Sequence, residues 1–458
     1  MDSSSETSNN YTEDAQVLDS LLTKVHKIII EYLNEGQNGT GKTLNYLSPK
    51  NLISKISPEV PQNGSGEKGY DETISSGLTC PGGSASNTLA LVVARNKYFP
   101  YVTEYGLCLS DDEKKEVDYK TPVVFTSIHS HYSVDKAVIM LGIGKRNLIA
   151  VKCDESGKMD PDALENAVIK AIKENRRPFF VNATAGTTVL GQFDPLEKIG
   201  EICRKYDMWF HIDGSLGGSV MFCENERRVL LKGSELANSF TFNPHKMLGV
   251  PLQCSFLLVR DGLDEIRNRV ALKANYLFHR SEDMDEDDPS SWDIGDSTVG
   301  CGRKPDSLKM WLSWRYYGTE GFSNRVSNAL LCANRFSELI KERNDKYELF
   351  RYPVSNLVSF WYIPKCLRST CKPDIFTESQ KCYPEELAEV TKKICDLVNS
   401  KGEILLDYAS VTLHEGETPV RVPEFFRIPF NSPIVDENYL EKIINEIEVC
   451  GKEIYGEQ

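Results

Sequence analysis

A chain of 458 residues with 40% hydrophobic and 26% charged residues has the composition of an ordinary globular protein, with room for two or three domains. A formal charge of −14 argues against a general binder of nucleic acid or acidic membrane, and leaves room for a local basic pocket. The longest apolar runs, such as Ile28–Ile30 and Phe256–Val259, are far too short to span a bilayer, and Met1–Asp14 carries no apolar leader. The 13 cysteines are scattered without close pairs or zinc-ligand spacing, so a cytoplasmic protein with reduced thiols and no metal is expected.

Met1–Gln16 is polar and predicts a disordered tail. Leu18, Leu21, Leu22, Val25, Ile28, Ile29, Tyr32 and Leu33 form a helical stripe over Val17–Asn34 that Gly36 ends. Gly36–Thr43 matches the phosphate-loop pattern GxxxxGK[ST]. That loop works only between a strand and a helix, because the phosphates rest on the helix N-terminus. Here it follows a helix and soon meets Pro49, so a helix-ending loop is the better reading and a nucleotide hydrolase is set aside. Pro49–Gly69 reads as a linker.

From Thr79 onward short apolar strands alternate with helices. Val123–Ser127, Leu148–Lys152, Phe179–Thr184, Met208–Ile212, Ser239–Phe242 and Cys254–Val259 are predicted strands. Asp160-Pro161 signals one helix start, and Asp194-Pro195-Leu196-Glu197 signals another as an aspartate form of the capping box. Such alternation predicts an α/β fold whose mainly parallel sheet is covered on both faces, with ligands at the carboxyl ends of its strands. After Trp311–Tyr317 the pattern turns to longer helices, Phe322–Arg343, Glu385–Asn399 and Glu437–Glu448, with strands at Leu357–Tyr362 and Phe425–Pro429. The expected division is an N-terminal tail, helix and linker over 1–78, a large domain over 79–325 and a smaller α+β domain over 326–458.

Four segments at strand ends carry chemistry together. Cys80–Asn87 puts small and hydroxyl residues at a helix start, where backbone N–H groups converge on an anion. Ser127–Tyr132 places His131 after a strand, where its ring can lie against a flat cofactor; a lone histidine is more often a structural hydrogen-bonder. His211–Gly218 ends a buried strand on Asp213, either a turn cap or the partner of a protonated ring nitrogen. Asn243-Pro244-His245-Lys246 closes another strand on a lysine which, if desolvated, becomes a nucleophilic amine able to form a Schiff base. Anion cup, stacker, carboxylate and amine together describe the handling of pyridoxal 5'-phosphate.

With Val181–Thr188, Leu252–Ser255, Tyr276–Phe278 and Cys301–Arg303 added, the chain from about Gly77 to Tyr455 resembles the group II amino-acid decarboxylases, nearest the glutamate and cysteine sulfinate decarboxylases. The resemblance implies a fold-type I enzyme with a seven-stranded, mainly parallel sheet, working as a homodimer. It assigns Lys246 to the cofactor aldehyde, Asp213 to the ring nitrogen and His131 to the ring face. Ser84, Ala85, Ser86, Asn243 and His245 go to the phosphate, and Thr187 to the ring substituents. Arg427 falls on the arginine that holds the substrate α-carboxylate, where the residue alone suggests an interdomain salt bridge. Tyr276 falls on the mobile-loop tyrosine that returns a proton to the substrate carbon. The implied reaction is decarboxylation of an acidic amino acid, glutamate first, cysteine sulfinate or aspartate next. Aminotransferase or other lyase chemistry on the same fold is the competing enzyme reading.

Two features differ from the family pattern. Gly214, Ser215 and Leu216 stand where the family has two alanines and an aromatic, so Gly214 or Ser215 must cover the cofactor face opposite His131. Ile53–Gly83 contains no counterpart of the segment that contacts the substrate side chain and the dimer partner. The alternative this raises is a catalytically impaired, cofactor-binding relative.

Overall fold

The computed structural model describes residues 23–27, 30, 34, 76–272, 294–368, 384–413, 419–432 and 435–456. Residues 23–27, 30 and 34 are helical, within the predicted Val17–Asn34 stripe, and lie in a separate compact unit. The N-terminal tail, the Gly36–Thr43 motif, the Pro49–Gly69 linker and Tyr276 fall outside the described residues.

The main unit is built on seven strands: β1 (Ser76–Cys80), β2 (Pro122–Ser127), β3 (Leu148–Val151), β4 (Arg177–Thr184), β5 (Trp209–Gly214), β6 (Ser239–Phe242) and β7 (Ser255–Val259). Their order is β1-β7-β6-β5-β4-β2-β3, parallel from β6 through β3, with β7 antiparallel to both β6 and β1. Every residue of β2, β5 and β6 is buried, as expected of strands covered on both faces. The predicted strands coincide with β2 to β7 to within two residues at each end, and β1 enlarges the sheet beyond them.

Helices α1 (Gly83–Tyr98), α2 (Ser133–Met140), α3 (Pro161–Lys173), α4 (Leu196–Lys205) and α5 (Leu263–Val270) belong to this unit. Cores lie on both sides of the sheet: Phe125, Val181, Phe210 and Ile212 join one, while Val124, Phe180 and Trp209 join the other with α1. Asp160 caps α3 as predicted, accepting from the Asp162 and Ala163 N–H groups, with Pro161 in the first turn. Asp194 does something else. Pro195 occupies the cap position of α4, and the buried Asp194 carboxylate accepts the N–H of Met159 at 2.7 Å and of Thr184 at 2.8 Å. Those two N–H groups point into the interior, and the carboxylate satisfies both where helix capping would satisfy neither.

A second, four-stranded antiparallel sheet has the order β10-β11-β9-β8, from β8 (Tyr347–Arg351), β9 (Leu357–Tyr362), β10 (Tyr408–Leu413) and β11 (Val420–Pro429). The sequence pattern misses both edges, β8 and β10. Edge strands alternate exposed charge with apolar residues, and Glu348, Arg351 and Thr412 dilute the apolar signal. Helices α7 (Glu386–Lys401) and α8 (Glu437–Tyr455) cover this sheet. Helix α6 (Asp306–Glu342) links the two: its residues through Ala329 pack in the first core, and those from Cys332 in the second. Gly318 interrupts it at φ 68°, ψ 176°, a conformation that glycine alone adopts readily.

Phe336 on α6 is fully buried, with ring contacts to Phe360 at 5.5 Å and Phe430 at 5.4 Å. Phe336→Ala is expected to cost about 3–5 kcal/mol, which a denaturant titration would register as a lower midpoint at unchanged slope.

Candidate active site

The parallel strands end on one side of the sheet, and the residues just beyond those ends converge on a cavity of about 200 Å³. His131 follows β2, Thr184 ends β4, Asp213 lies at the end of β5, and Asn243, His245 and Lys246 follow β6; Gly83 and Ser84 open α1. Gly186, Thr188, Ser215 and Leu216 complete the wall with Asn87.

At one end of the cavity α1 starts without a side-chain cap, so its first N–H groups are donors for an anion. A Cβ added at Gly83 would come within 2.5 Å of Ser215 Oγ and 2.8 Å of Asn243 Nδ2, so the close approach of these groups requires glycine. The buried Asn243 Oδ1 and Thr184 Oγ1 have no hydrogen-bond partner among the described residues. Buried polar atoms of this kind call for a ligand or water.

Asp213 is 4% exposed, and its carboxylate is held at both oxygens: Ser215 N–H donates to Oδ1 at 3.0 Å and Asn87 Nδ2 to Oδ2 at 2.7 Å. Lys246 has its pKa pushed below the usual lysine range, chiefly by burial, with Asp213 opposing the shift and Arg427 adding to it. The amine therefore reaches its nucleophilic form at a lower pH than a surface lysine. Burial also lowers the pKa of His131, against the pull of Asp213, so the ring stays neutral near neutrality. Its Nδ1 accepts the Ser133 N–H at 3.2 Å, which leaves the proton of the neutral ring on Nε2. His245 Nδ1 lies 2.5 Å from the Cys254 carbonyl, which fixes that ring.

The structure therefore gathers Ser84, His131, Asp213, Ser215, Asn243, His245 and Lys246 around one cavity. Ala85, Ser86 and Thr187 do not line it. Ala85 packs against the apolar core under α1, and Ser86 Oγ pairs with Ser255 Oγ at 2.9 Å. Thr187 is fully buried with its hydroxyl accepting the Gln192 N–H at 3.1 Å, and its neighbours Thr184 and Thr188 face the cavity instead. In a run of three threonines over five positions, the turn at Gly186 decides which side chains face inward, and composition does not encode that. Asn87 is the residue the sequence reading misses: it sits one helical turn after Gly83 and faces the same way.

Arg427 stands on β11 behind this wall. Its Nε donates to the Thr188 carbonyl at 2.5 Å, and its Nη1 lies 3.6 Å from Asp407 Oδ2. The guanidinium side chain is 13% exposed against 68% for Asp407, so the pair is loose on the acidic side.

The alanine question at β5 is settled by space. A Cβ at Gly214 would sit 2.5 Å from the Phe240 ring and 2.9 Å from the Thr241 carbonyl, whereas Ser215 faces the cavity. Ser215 is thus the small residue available to a ligand face.

Residues 59–363 match the pyridoxal-dependent decarboxylase conserved domain. The chain is 38% identical over 378 residues to human acidic amino acid decarboxylase GADL1, covering 82% of this chain and 67% of that protein. The bovine protein of the same name is 37% identical over the same shares. Among solved structures, that of mouse CSAD superposes with a TM-score of 0.70 at 33% identity, over 82% of this chain and 72% of that one. Catharanthus roseus tryptophan decarboxylase, at 22% identity and a TM-score of 0.64, shares the fold. An uncapped helix start, an acidified amine and a doubly held carboxylate at the ends of parallel strands, on a chain with these relatives, make this protein a member of the pyridoxal-phosphate-dependent decarboxylases, carboxy-lyases of fold type I.

Proposed function

We propose that this chain removes the α-carboxylate of a small acidic amino acid, with glutamate first and cysteine sulfinate or aspartate next, and that the residues around the 200 Å³ cavity carry the reaction. The observation that supports this most directly is a desolvated Lys246 and a doubly hydrogen-bonded Asp213 lining one cavity, on a chain similar to acidic amino acid decarboxylases.

The residues present fit pyridoxal phosphate. The open N-terminus of α1, with the N–H groups of Gly83 and Ser84, the amide nitrogen of Asn243 and the fixed His245, would seat the phosphate, while the N–H groups of Ala85 and Ser86 already donate to the Gly82 carbonyl. Lys246 would bond the aldehyde carbon, Asp213 would face the ring nitrogen, and Thr184, Thr187 and Thr188 lie in the segment beside it. His131 and Ser215 would cover the two ring faces. The bound cofactor supplies a ring that accepts the electron pair left as CO₂ departs.

The chain's own residues do the rest. Asp213, hydrogen-bonded at both oxygens, would favour a proton on the ring nitrogen it would face. Lys246 in its neutral form takes and returns protons at Nζ when the substrate amine replaces it. Arg427, fixed at Nε by the Thr188 carbonyl, orients a carboxylate that displaces the exposed Asp407 from Nη1. Tyr276, outside the described residues, retains its role as the proton donor to the substrate carbon.

A homodimer is part of the same reading. Leu308, Leu312 and Tyr316 stand at i, i+4 and i+8 on the first half of α6, at 50%, 52% and 68% exposure, an apolar stripe of the kind that mates with another surface. The described cysteines are all free thiols, which suits the cytoplasm, and no described helix is long and apolar enough to cross a membrane.

Purified protein supplied with pyridoxal phosphate is expected to release CO₂ from at least one of glutamate, cysteine sulfinate and aspartate. Lys246→Ala should abolish release, and Arg427→Lys should lower kcat/KM by about tenfold to a hundredfold through loss of the bidentate grip. A chain that binds cofactor and releases no CO₂ from any of the three would favour the impaired relative; formation of a keto acid would indicate aminotransfer. Gly214→Ala should cost about 1–3 kcal/mol of stability from overpacking against Phe240, while Ser215→Ala should leave the thermal midpoint nearly unchanged; equal effects would show that Gly214 is not the crowded position. Sedimentation should give twice the monomer mass for the wild type, and Leu308→Asp with Leu312→Asp should shift it towards the monomer; an unmoved dimer would place the interface elsewhere.

A further inference from the structure

Beneath the cavity floor lies a chain of buried polar groups, Trp209, Ser239 and His211, that leads through Asn87 to Asp213. Trp209 Nε1 donates to Ser239 Oγ at 2.8 Å, Ser239 Oγ lies 2.8 Å from His211 Nδ1, and His211 Nε2 lies 3.1 Å from Asn87 Oδ1. Asn87 Nδ2 then donates to Asp213 Oδ2 at 2.7 Å and to Ser133 Oγ at 3.0 Å. Asn87, His211, Asp213 and Ser239 are all under 5% exposed, so each donor and acceptor in the chain must be satisfied internally.

With Asp213 as a carboxylate acceptor, one arrangement of protons satisfies every bond in the row. An ionised carboxylate only accepts, so the Asn87 amide nitrogen must face Asp213 and its oxygen must face His211. An amide oxygen only accepts, so His211 must carry a proton on Nε2. Burial holds His211 well below the usual histidine range, to about 4, against the opposing field of Asp213, so the ring is neutral and its Nδ1 is bare. The bare Nδ1 takes the Ser239 hydroxyl proton, and the Ser239 oxygen takes the Trp209 N–H. Thr241 Oγ1, 3.4 Å from Nε2, is a second acceptor for the same proton, and Phe180 stacks on the ring at 5.7 Å. Every bond in the row points towards Asp213.

We propose that Asn87 and His211 are positioning residues for cofactor binding: they form a one-way hydrogen-bond relay, anchored by Ser239 and Trp209, that holds Asp213 as an oriented, unprotonated acceptor. This rests on reading Asp213 as the partner of the cofactor ring nitrogen. The relay ties the second turn of α1 to β5 and to the first residue of β6, so the helix whose N-terminus would seat the phosphate also fixes the carboxylate that would face the ring nitrogen. Asn87 thereby couples two ends of one ligand.

The test begins on the cofactor-free protein, where nitrogen-15 NMR reads the tautomer of each of the seven histidines, His211 being assigned by its loss in His211→Asn. The expected result is a neutral His211 protonated on Nε2 near neutral pH, a state that Ser239→Ala leaves in place and that Asn87→Leu converts to a mixture. In equilibrium dialysis, Asn87→Leu should weaken pyridoxal phosphate binding about tenfold or more, as expected for loss of one hydrogen bond to a charged group. Should Asn87→Leu fail to fold, the wild-type and Ser239→Ala tautomers still decide the matter. An Nδ1-protonated His211 in the wild type, a tautomer that flips in Ser239→Ala, or a folded Asn87→Leu with unchanged cofactor affinity would each overturn the relay. None of these readouts needs turnover, so a wild-type chain without decarboxylase activity would sink the functional reading and leave this result standing.

Discussion

A buried carboxylate at the end of the central strand of a closed-over sheet is the constraint on which the rest of this structure depends. Asp213 lies where an unpaired charge costs several kcal/mol. The fold meets that cost with donors rather than with a full salt bridge: a backbone N–H from the turn at Ser215 and an amide from Asn87. Two donors hold the carboxylate without a cation to neutralise it, which suits it to the task proposed for it beside a cationic ring nitrogen. A lysine or arginine in the place of Asn87 would stabilise Asp213 better and make it useless for that task. Lys246 feels the same field, which opposes the burial that lowers its pKa and keeps the amine partly basic.

The sequence reveals the large sheet well, because continuous apolar runs bounded by Gly, Pro and Asp are a strong signal when both faces of a strand are covered. It also reveals residues whose chemistry is rare in the places they occupy: Lys246 closing a strand, Asp213 ending another, a glycine and serine cluster opening a helix. It fails where a side chain's direction depends on a turn. Asp194 has every local feature of a helix cap and instead serves two distant N–H groups, since long-range satisfaction of Met159 and Thr184 outweighs a cap. Thr187 is chemically suited to the site and turned out of the cavity, while Thr184 and Thr188 face it. Ser86 is spent on Ser255. The edge strands β8 and β10 are illegible for a different reason: polar residues, Glu348 and Arg351 in β8 and Ser410 and Thr412 in β10, break up their apolar runs.

Gly214 and Ser215 show how a departure from a family pattern is absorbed. Phe240 fills the volume that a methyl group at Gly214 would need and keeps the core closed. The side chain available to the cavity moves one residue along, to Ser215, which brings a hydroxyl within reach of the helix start at Gly83.

The bond from Asn87 to Asp213 spans 126 positions of sequence, and the bond from Arg427 to Thr188 spans 239. Contacts this remote close slowly, because the loop entropy is spent before the contact returns anything. A chain emerging from the ribosome has the α1 start at Gly83 long before it has the carboxylate of Asp213, and it has neither Asn243, His245 and Lys246 nor Arg427 until later still. Cofactor capture is therefore an event of late folding. The fraction of chains that retain pyridoxal phosphate counts the molecules in which α1 has docked on the finished sheet, which makes the cofactor a reporter of completed topology as well as a participant in chemistry.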